Sequence, residues 1–552
     1  MAKHSKAFDL KEFLCINIDL VVPDFAAKGY FDDWALALLE QKNWSDPIGV
    51  LGLEAISDHE RLFVQAFLQS TRFFCELGRL PIFDFPKVVS LSMDPQNHKK
   101  CLLKAELFLI QFVPKSAYQI PINASLDLCR WMSQNSPTSD NRKFLHNTIT
   151  ENVIKPLHRL VPAGKSTISV LRVAHGLGIP FAHLGLGVYQ LGWGSKARRL
   201  DRSTCELDSA IGSKLAQNKV STANILRAAG LPAPVHGLVT TENDAISIAK
   251  KIGFPVVIKP ADLDRGEGVT VDISDEAGLK TAFAHAQKLS KSKQVIVEHQ
   301  VSGVCHRLFI ANDKLLYAVK RHPMSVIGDA KRTIEALVDG EVIKQANKPP
   351  WSRSEIKPID DLALKAFESL GFSAGSVPDK GVMVPLRRIE STEWGGVDQE
   401  VTTVVHPENL HISLQAAKLF GLHIAGIDII SPDITKPWYA NGAIINEVNF
   451  APLFGGAEIS RSHIPAFFAE FIDGDGKIPI EVFDTGETAL AFQKEQSAQG
   501  NRCYMTTAHR TINELGKEIV MPLKDLRQRI RALIMRSDVD SIAIICSSRD
   551  LI

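Results

Sequence analysis

The stretch from Phe254 to Val271 constrains this chain most. Val256, Val257 and Ile258 are β-branched and follow Pro255, which predicts a buried strand with a proline at its mouth. Lys259 leaves that strand as a point charge. Gly266 and Gly268 let backbone N–H groups approach an anion, because no Cβ intervenes. A second strand returns through Val269 and Val271. Strand, lysine, glycine turn and strand in that order suit a polyphosphate. An ordinary hairpin with a surface lysine would read the same way.

Two other glycine signals fail on spacing. Gly164-Lys165-Ser166 ends like a phosphate-binding loop, but Arg159 stands where the first glycine is needed. Gly185 and Gly187 open a dinucleotide pattern that Gln190 breaks. With 552 residues the chain is long enough for roughly three or four domains, and 45% hydrophobic residues can bury large cores. A formal net charge of +1 gives no reason to expect nucleic acid or a membrane surface. The eight cysteines form no C-x-x-C pair, as expected of reduced thiols in a cytoplasmic protein. The charged N-terminus lacks a signal peptide's apolar core, and no apolar run reaches membrane-spanning length.

Along the chain, residues 13–22 read as a strand and 57–76 and 142–158 as helices, the last with a basic face. Ser213–Ala229 reads as one helix stopped by Gly230. Thr241–Asp244 resembles a capping box in front of a helix. After the opening stretch come a helix from about 275 to 289, the strand Gln294–Val301, and a hairpin of 307–310 with 315–321. These form an α+β unit of about 80 residues. Residues 326–333 suggest a mobile loop, and 341–357 are polar. A helix spans about 408–421. The segments 424–430 and 443–449 read as two antiparallel strands. Glu447 and Asn449 lie two apart on one face, with Asp428 facing the same way from the neighbouring strand. These three supply hard oxygen ligands of the kind magnesium accepts. Residues 477–483 start a strand–turn–helix without a phosphate loop.

The ordered series resembles the ATP-grasp superfamily, and within it the ATP-grasp half of cyanophycin synthetases. The matching segments are Gln190-Leu-Gly-Trp-Gly with Arg198-Arg199, Asn218-Lys219, Ile258-Lys259-Pro, Gly266-Glu-Gly268-Val, Val297-Glu298, His306-Arg307-Leu, Gly328-Asp329, Val405-His406-Pro407, Ala425-Gly-Ile-Asp428, Ser431-Pro-Asp433-Ile and Glu447-Val-Asn449. The resemblance implies an α/β fold: an N-terminal α/β domain (1–165), an ATP-grasp domain (166–472) with a mobile central lobe at about 235–325, and a short α/β remnant of a Mur-ligase-like half (473–552). It implies that Lys219, Lys259 and Lys320 contact ATP, and that Gly266 and Gly268 shape a loop over its phosphates. Glu298 and the backbone near Val301 would bind adenine. Arg307 and Arg321 would stabilise the transferring phosphoryl group, and Asp428, Glu447 and Asn449 would hold Mg²⁺ or Mn²⁺. The implied reaction joins a carboxylate to an amine through an acyl phosphate. Amino-acid or peptide substrates and a homo-oligomer follow from the same resemblance, and the cysteine usage and N-terminus add the expectation of a cytoplasmic setting.

Three departures stand out. Cys305 replaces an acid expected to reach the ribose, Arg265 replaces a histidine in the glycine loop, and the segment around Asp484-Thr-Gly-Glu487 looks like a worn start of the second half, so a second ATP-dependent coupling is not expected. A ligase for a small peptide-like metabolite and an inactive ATP-binding scaffold are the alternative readings.

Overall fold

In the computed structural model, residues 12–23, 30–39, 57–94, 97–161, 164–263, 266–354, 356, 359–388 and 396–546 are described. Arg265 therefore lies outside them. The chain divides into two units: Met1–Arg202 with Phe454–Gly456 and Ile464–Ile552, and Ser203–Leu453 with Ala457–His463.

The second unit contains every candidate site residue. It opens with α1 (Ala210–Ala216) and α2 (Lys219–Ala228). The single helix expected over 213–229 is thus broken at Gln217–Asn218. Asn218 is the cause: its side chain accepts the Ser221 N–H at 2.9 Å and starts a new helix. Next come β1 (His236–Val239), α3 (Glu242–Ile252), β2 (Val256–Pro260), β3 (Thr270–Ile273), α4 (Glu276–Leu289) and β4 (Val295–His299). Thr241 caps α3 as its sequence predicts, accepting the Asp244 N–H. The four strands form one antiparallel sheet in the order β3-β2-β4-β1. Strand alternation sorts its side chains. Val256, Ile258, Val295 and Val297 pack with Ala245, Ala249, Leu279 and Phe283 of the two helices. Lys259 and Glu298 point to the other face.

The hairpin β5 (Val304–Ala311) and β6 (Lys314–His322) does not belong to this sheet, contrary to the sequence reading. It is central to a second antiparallel sheet. Its remaining strands are β9 (Val397–Glu400), β10 (Ile424–Ser431) and β11 (Ile444–Phe450), in the order β9-β6-β5-β10-β11. Pairing of β5 with β10 joins residues more than a hundred positions apart, and no local signal announces it. One face packs Leu308, Ile310, Ala318, Ile427, Ile429 and Ile445 against α2 and α7 (Pro407–Leu419).

Between β6 and β9 lies an insertion with its own small core: β7 (Ser325–Ile327), α5 (Ile334–Asn347), α6 (Asp361–Glu368) and β8 (Met383–Pro385). Val326, Ile334, Leu337, Phe367 and Val384 are buried together there. The segment read as a loop at 326–333 is a strand followed by a tight turn, in which Asp329 accepts the Lys331 and Arg332 N–H groups at 2.9 and 2.8 Å. Helix α5 takes up part of the polar stretch.

The first unit starts with a three-stranded antiparallel sheet of Glu12–Val21, Asn97–Leu109 and Lys87–Asp94. Helix Asp58–Leu77 precedes Lys87–Asp94 in the chain, and helix Lys115–Gln134 follows Asn97–Leu109. The basic helix is interrupted by a wider turn at Thr150–Ile154. Near the end, Ile480–Phe483 and Cys503–Thr506 flank Ser541–Ile545 in parallel.

Candidate functional site

The charged face of the second sheet follows from its register. Arg307 on β5 stands opposite Asp428 on β10, and Asp428 opposite Glu447 on β11. Residues in such pairs share a face. Leu308 and its neighbours fill the core face, so Arg307, Asp428 and Glu447 occupy the opposite one. Arg307 donates from Nε and Nη2 to the two Asp428 oxygens at 2.7 and 2.6 Å. The amide nitrogen of Asn449 reaches Asp428 Oδ2 at 3.3 Å and the Gly426 carbonyl at 3.2 Å. That leaves Asn449 Oδ1 as a possible ligand. At the end of the row, Lys219 Nζ at the first turn of α2 lies 3.7 Å from Glu447 Oε1.

Burial shapes the electrostatics of the Arg307–Asp428 pair. Desolvation alone would raise the Asp428 carboxyl, but the charge and hydrogen bonds of Arg307 outweigh it and hold it below its ordinary value. Desolvation likewise opposes the Arg307 charge, and Asp428 more than restores it. The result is a fixed cation beside an ionised carboxylate on a largely dry face.

On β6, Arg321 points to this same face, two residues beyond Val319, which stands opposite Arg307. Lys320 points to the other face, opposite His306. Arg321 and Lys320 are therefore not brought together. The structure adds a residue that the sequence reading passed over, Asp398 on β9, opposite Arg321. Its signal was Asp398-Gln-Glu400, two acids two apart in a short polar edge strand. Beside it, Glu400 accepts from His463 Nε2 and from the Thr402 hydroxyl, both at 2.9 Å.

Lys259 and Glu298 lie on the first sheet, where Lys259 Nζ is 2.8 Å from Glu298 Oε2. Only 13% and 10% of these side chains remain exposed. Gly266 and Gly268 adopt φ of 78° and 70°, left-handed values open to glycine. At Gly268 a Cβ would also come within 2.8 Å of Pro260. Val301 follows the end of β4, and Cys305 is half-buried on β5.

The chain is similar to known proteins over part of its length. A family profile described as the carbamoyl-phosphate synthase L chain, ATP binding domain, matches residues 214–373. The chain is 32% identical over 350 residues to the cyanophycin synthetase of Crocosphaera subtropica, covering 63% of this chain and 40% of that protein. Residues 214–373 thus match an ATP-grasp domain, and the chain is similar to cyanophycin synthetases over 63% of its own length. Its likeness to the cyanophycin synthetase of Geminocystis herdmanii is 34% over 311 residues, or 54% of this chain and 35% of the other. A glutathione biosynthesis bifunctional protein of Mannheimia succiniciproducens is 30% identical over 257 residues, or 45% and 33% of the two chains. The chain thus spans well under half the length of these relatives. The match at 214–373 contains Lys219, Lys259, Glu298, Arg307 and Arg321, and Asp428, Glu447 and Asn449 lie beyond it.

Proposed function

We propose that the protein is an ATP-dependent carboxylate–amine ligase that forms an amide bond through an acyl phosphate. The observation that supports it most is the row Arg307, Asp428, Glu447 and Lys219 on one sheet face, beside Asn449. A carboxylate is a poor electrophile, and phosphorylation supplies a leaving group. The chemistry needs positioning and charge neutralisation rather than a serine or cysteine nucleophile.

In this reading Lys219 and Lys259 neutralise the ATP phosphates, and the Gly266–Gly268 turn lies over them, keeping water from the acyl phosphate. Glu298 and the backbone near Val301 receive the adenine edge, with Lys320 a further contact. Arg307 bears on the charge of the transferring phosphoryl group. The resemblance gives Arg321 the same role.

The donor set fits a hard divalent cation: Asp428 and Glu447 offer carboxylate oxygens and Asn449 an amide oxygen. Among the described residues no group of three His, Cys, Asp or Glu side chains is placed to hold a metal ion by itself, so phosphate and water would have to complete the shell. Magnesium, or manganese in its place, would neutralise phosphate charge there. Arg307 keeps Asp428 ionised for that purpose.

Residues 1–165 are proposed to handle the peptide substrate, 166–472 to bind ATP, and 473–552 to lack nucleotide chemistry. Among the described residues no helix is long and apolar enough to cross a membrane. A cytoplasmic homo-oligomer acting on amino acids or peptides is the fuller form of the proposal. Incubation with ATP, Mg²⁺ and a panel of amino acids and dipeptides is expected to release phosphate. Unchanged turnover in Lys259→Ala or Glu447→Ala would refute it. A ladder of product masses would mean polymer, and one mass a small metabolite.

A further inference from the structure

The first unit contains a cavity of its own, with a volume of about 390 Å³. Small-ligand pockets run from about 300 to 1,000 Å³. Its walls follow from helical spacing. On helix Lys115–Gln134, Ile120, Ala124, Asp127 and Trp131 recur three or four residues apart and so share a face. On the helix that begins at Ser139, Leu145, Ile149 and Val153 recur every fourth residue, with Thr148 and Asn152 beside them. The floor is apolar, since Phe74, Leu145, Ile149 and Val153 are at most 2% exposed. Trp131 and Phe144 make an aromatic wall, their ring centroids 5.2 Å apart and their planes 31° from parallel. Trp34 backs Trp131 at 5.6 Å, yet Phe144 remains 53% exposed.

Two features set this cavity apart from a packing defect. The first is the wider turn at Thr150–Ile154, which carries both Asn152 and Val153. Such turns give up regular hydrogen-bond geometry and occur frequently at functional sites. The second is charge. Asp127 stands exposed at the rim, in a stripe whose other members are apolar. Among the described residues it has no hydrogen bond or ion pair, and no Lys, Arg or His lines the cavity. Two other polar groups of the lining are engaged: Asn123 Oδ1 accepts from Gln119 at 2.7 Å, and the Thr148 hydroxyl donates to the Phe144 carbonyl at 2.9 Å. A carboxylate next to two aromatic rings favours a cation, because the ion pair and the ring quadrupoles pull the same way. A ligand carboxylate would find no counter-charge there.

We propose that this cavity binds a small organic cation, an amine with an aromatic body and no carboxylate. The ring lies over the apolar floor against Trp131 and Phe144, and the ammonium meets Asp127, with the Asn152 amide oxygen as a further acceptor. The site is separate from the candidate ATP site and stands whether or not the ligase reading holds.

The full chain is titrated calorimetrically with phenethylamine and tryptamine. Each control removes one feature of these probes. 2-Phenylethanol lacks the charge, butane-1,4-diamine lacks the ring, and free phenylalanine adds a carboxylate. At least one of the two amines is expected to bind saturably, and every control at least tenfold more weakly. Asp127→Asn should bring that amine to within twofold of the alcohol. Ala124→Phe fills the cavity and should abolish binding of the amine. If Ala124→Phe does not fold by circular dichroism, Thr148→Phe takes its place, with the same expected loss. Four outcomes overturn the proposal. They are no saturable binding of either amine, an alcohol or phenylalanine that binds as well as the amine, an Asp127→Asn variant with unchanged affinity, and amine binding that survives in the filled variant.

Discussion

Two arginine–aspartate pairs share one face of one sheet, and they are built differently. Arg307 and Asp428 sit on adjacent central strands, joined by two hydrogen bonds and backed by Asn449. Arg321 and Asp398 sit at the sheet's edge, in register but unbonded. The closed pair belongs to the folded state, because every strand around it holds it in place. The open pair sits where a short edge strand leaves its geometry less constrained.

Removing one partner of the closed pair should have the largest effect. Arg307→Ala strands a buried carboxylate, at about 3–5 kcal/mol of stability, and should lower kcat by roughly 10²–10³-fold. Urea unfolding and phosphate release measure the two. A loss below 1 kcal/mol would mean that the pair is no more closed than its neighbour.

The reverse face of the same strand offers the next test. His306 is buried there beside Lys320, and burial pushes its pKa down to about 4, with Lys320 and His322 adding repulsion. The folded value is lower than the unfolded one, so the contribution is complete above about 6.5. It is lost as pH falls from there through about 4, on the order of 3 kcal/mol in all. His306→Gln should flatten that limb of the stability profile. An unchanged limb would place the acid sensitivity elsewhere.

A smaller effect is expected at Asn218, whose cap starts the helix that brings Lys219 to Glu447. Asn218→Ala should cost about 1 kcal/mol and raise the KM for ATP, with kcat less affected. Arg321→Gln should cost least, under about 1 kcal/mol, because no hydrogen bond is broken and Asp398 is already biased towards taking a proton. A stability loss equal to that of Arg307→Ala would end the contrast between the pairs.

Much of this was legible in the sequence. Glu447 and Asn449 could be placed on one face by their spacing, and Lys259 by the β-branched run before it. The sheet to which the β5–β6 hairpin belongs was not legible, because its partner β10 lies over a hundred residues away and register leaves no local trace. Strand β9 was missed for another reason. Val397-Asp-Gln-Glu400 lacks the apolar alternation of a half-buried strand, because only one of its edges is paired. The one useful residue that the sequence reading passed over, Asp398, lies in that segment.

The insertion leaves the sheet one residue after Arg321 and re-enters it one residue before Asp398. Its whole length of chain hangs from a neck whose two posts are the members of the open pair. Those two positions therefore tie both ends of the insertion to one pair of neighbouring strands.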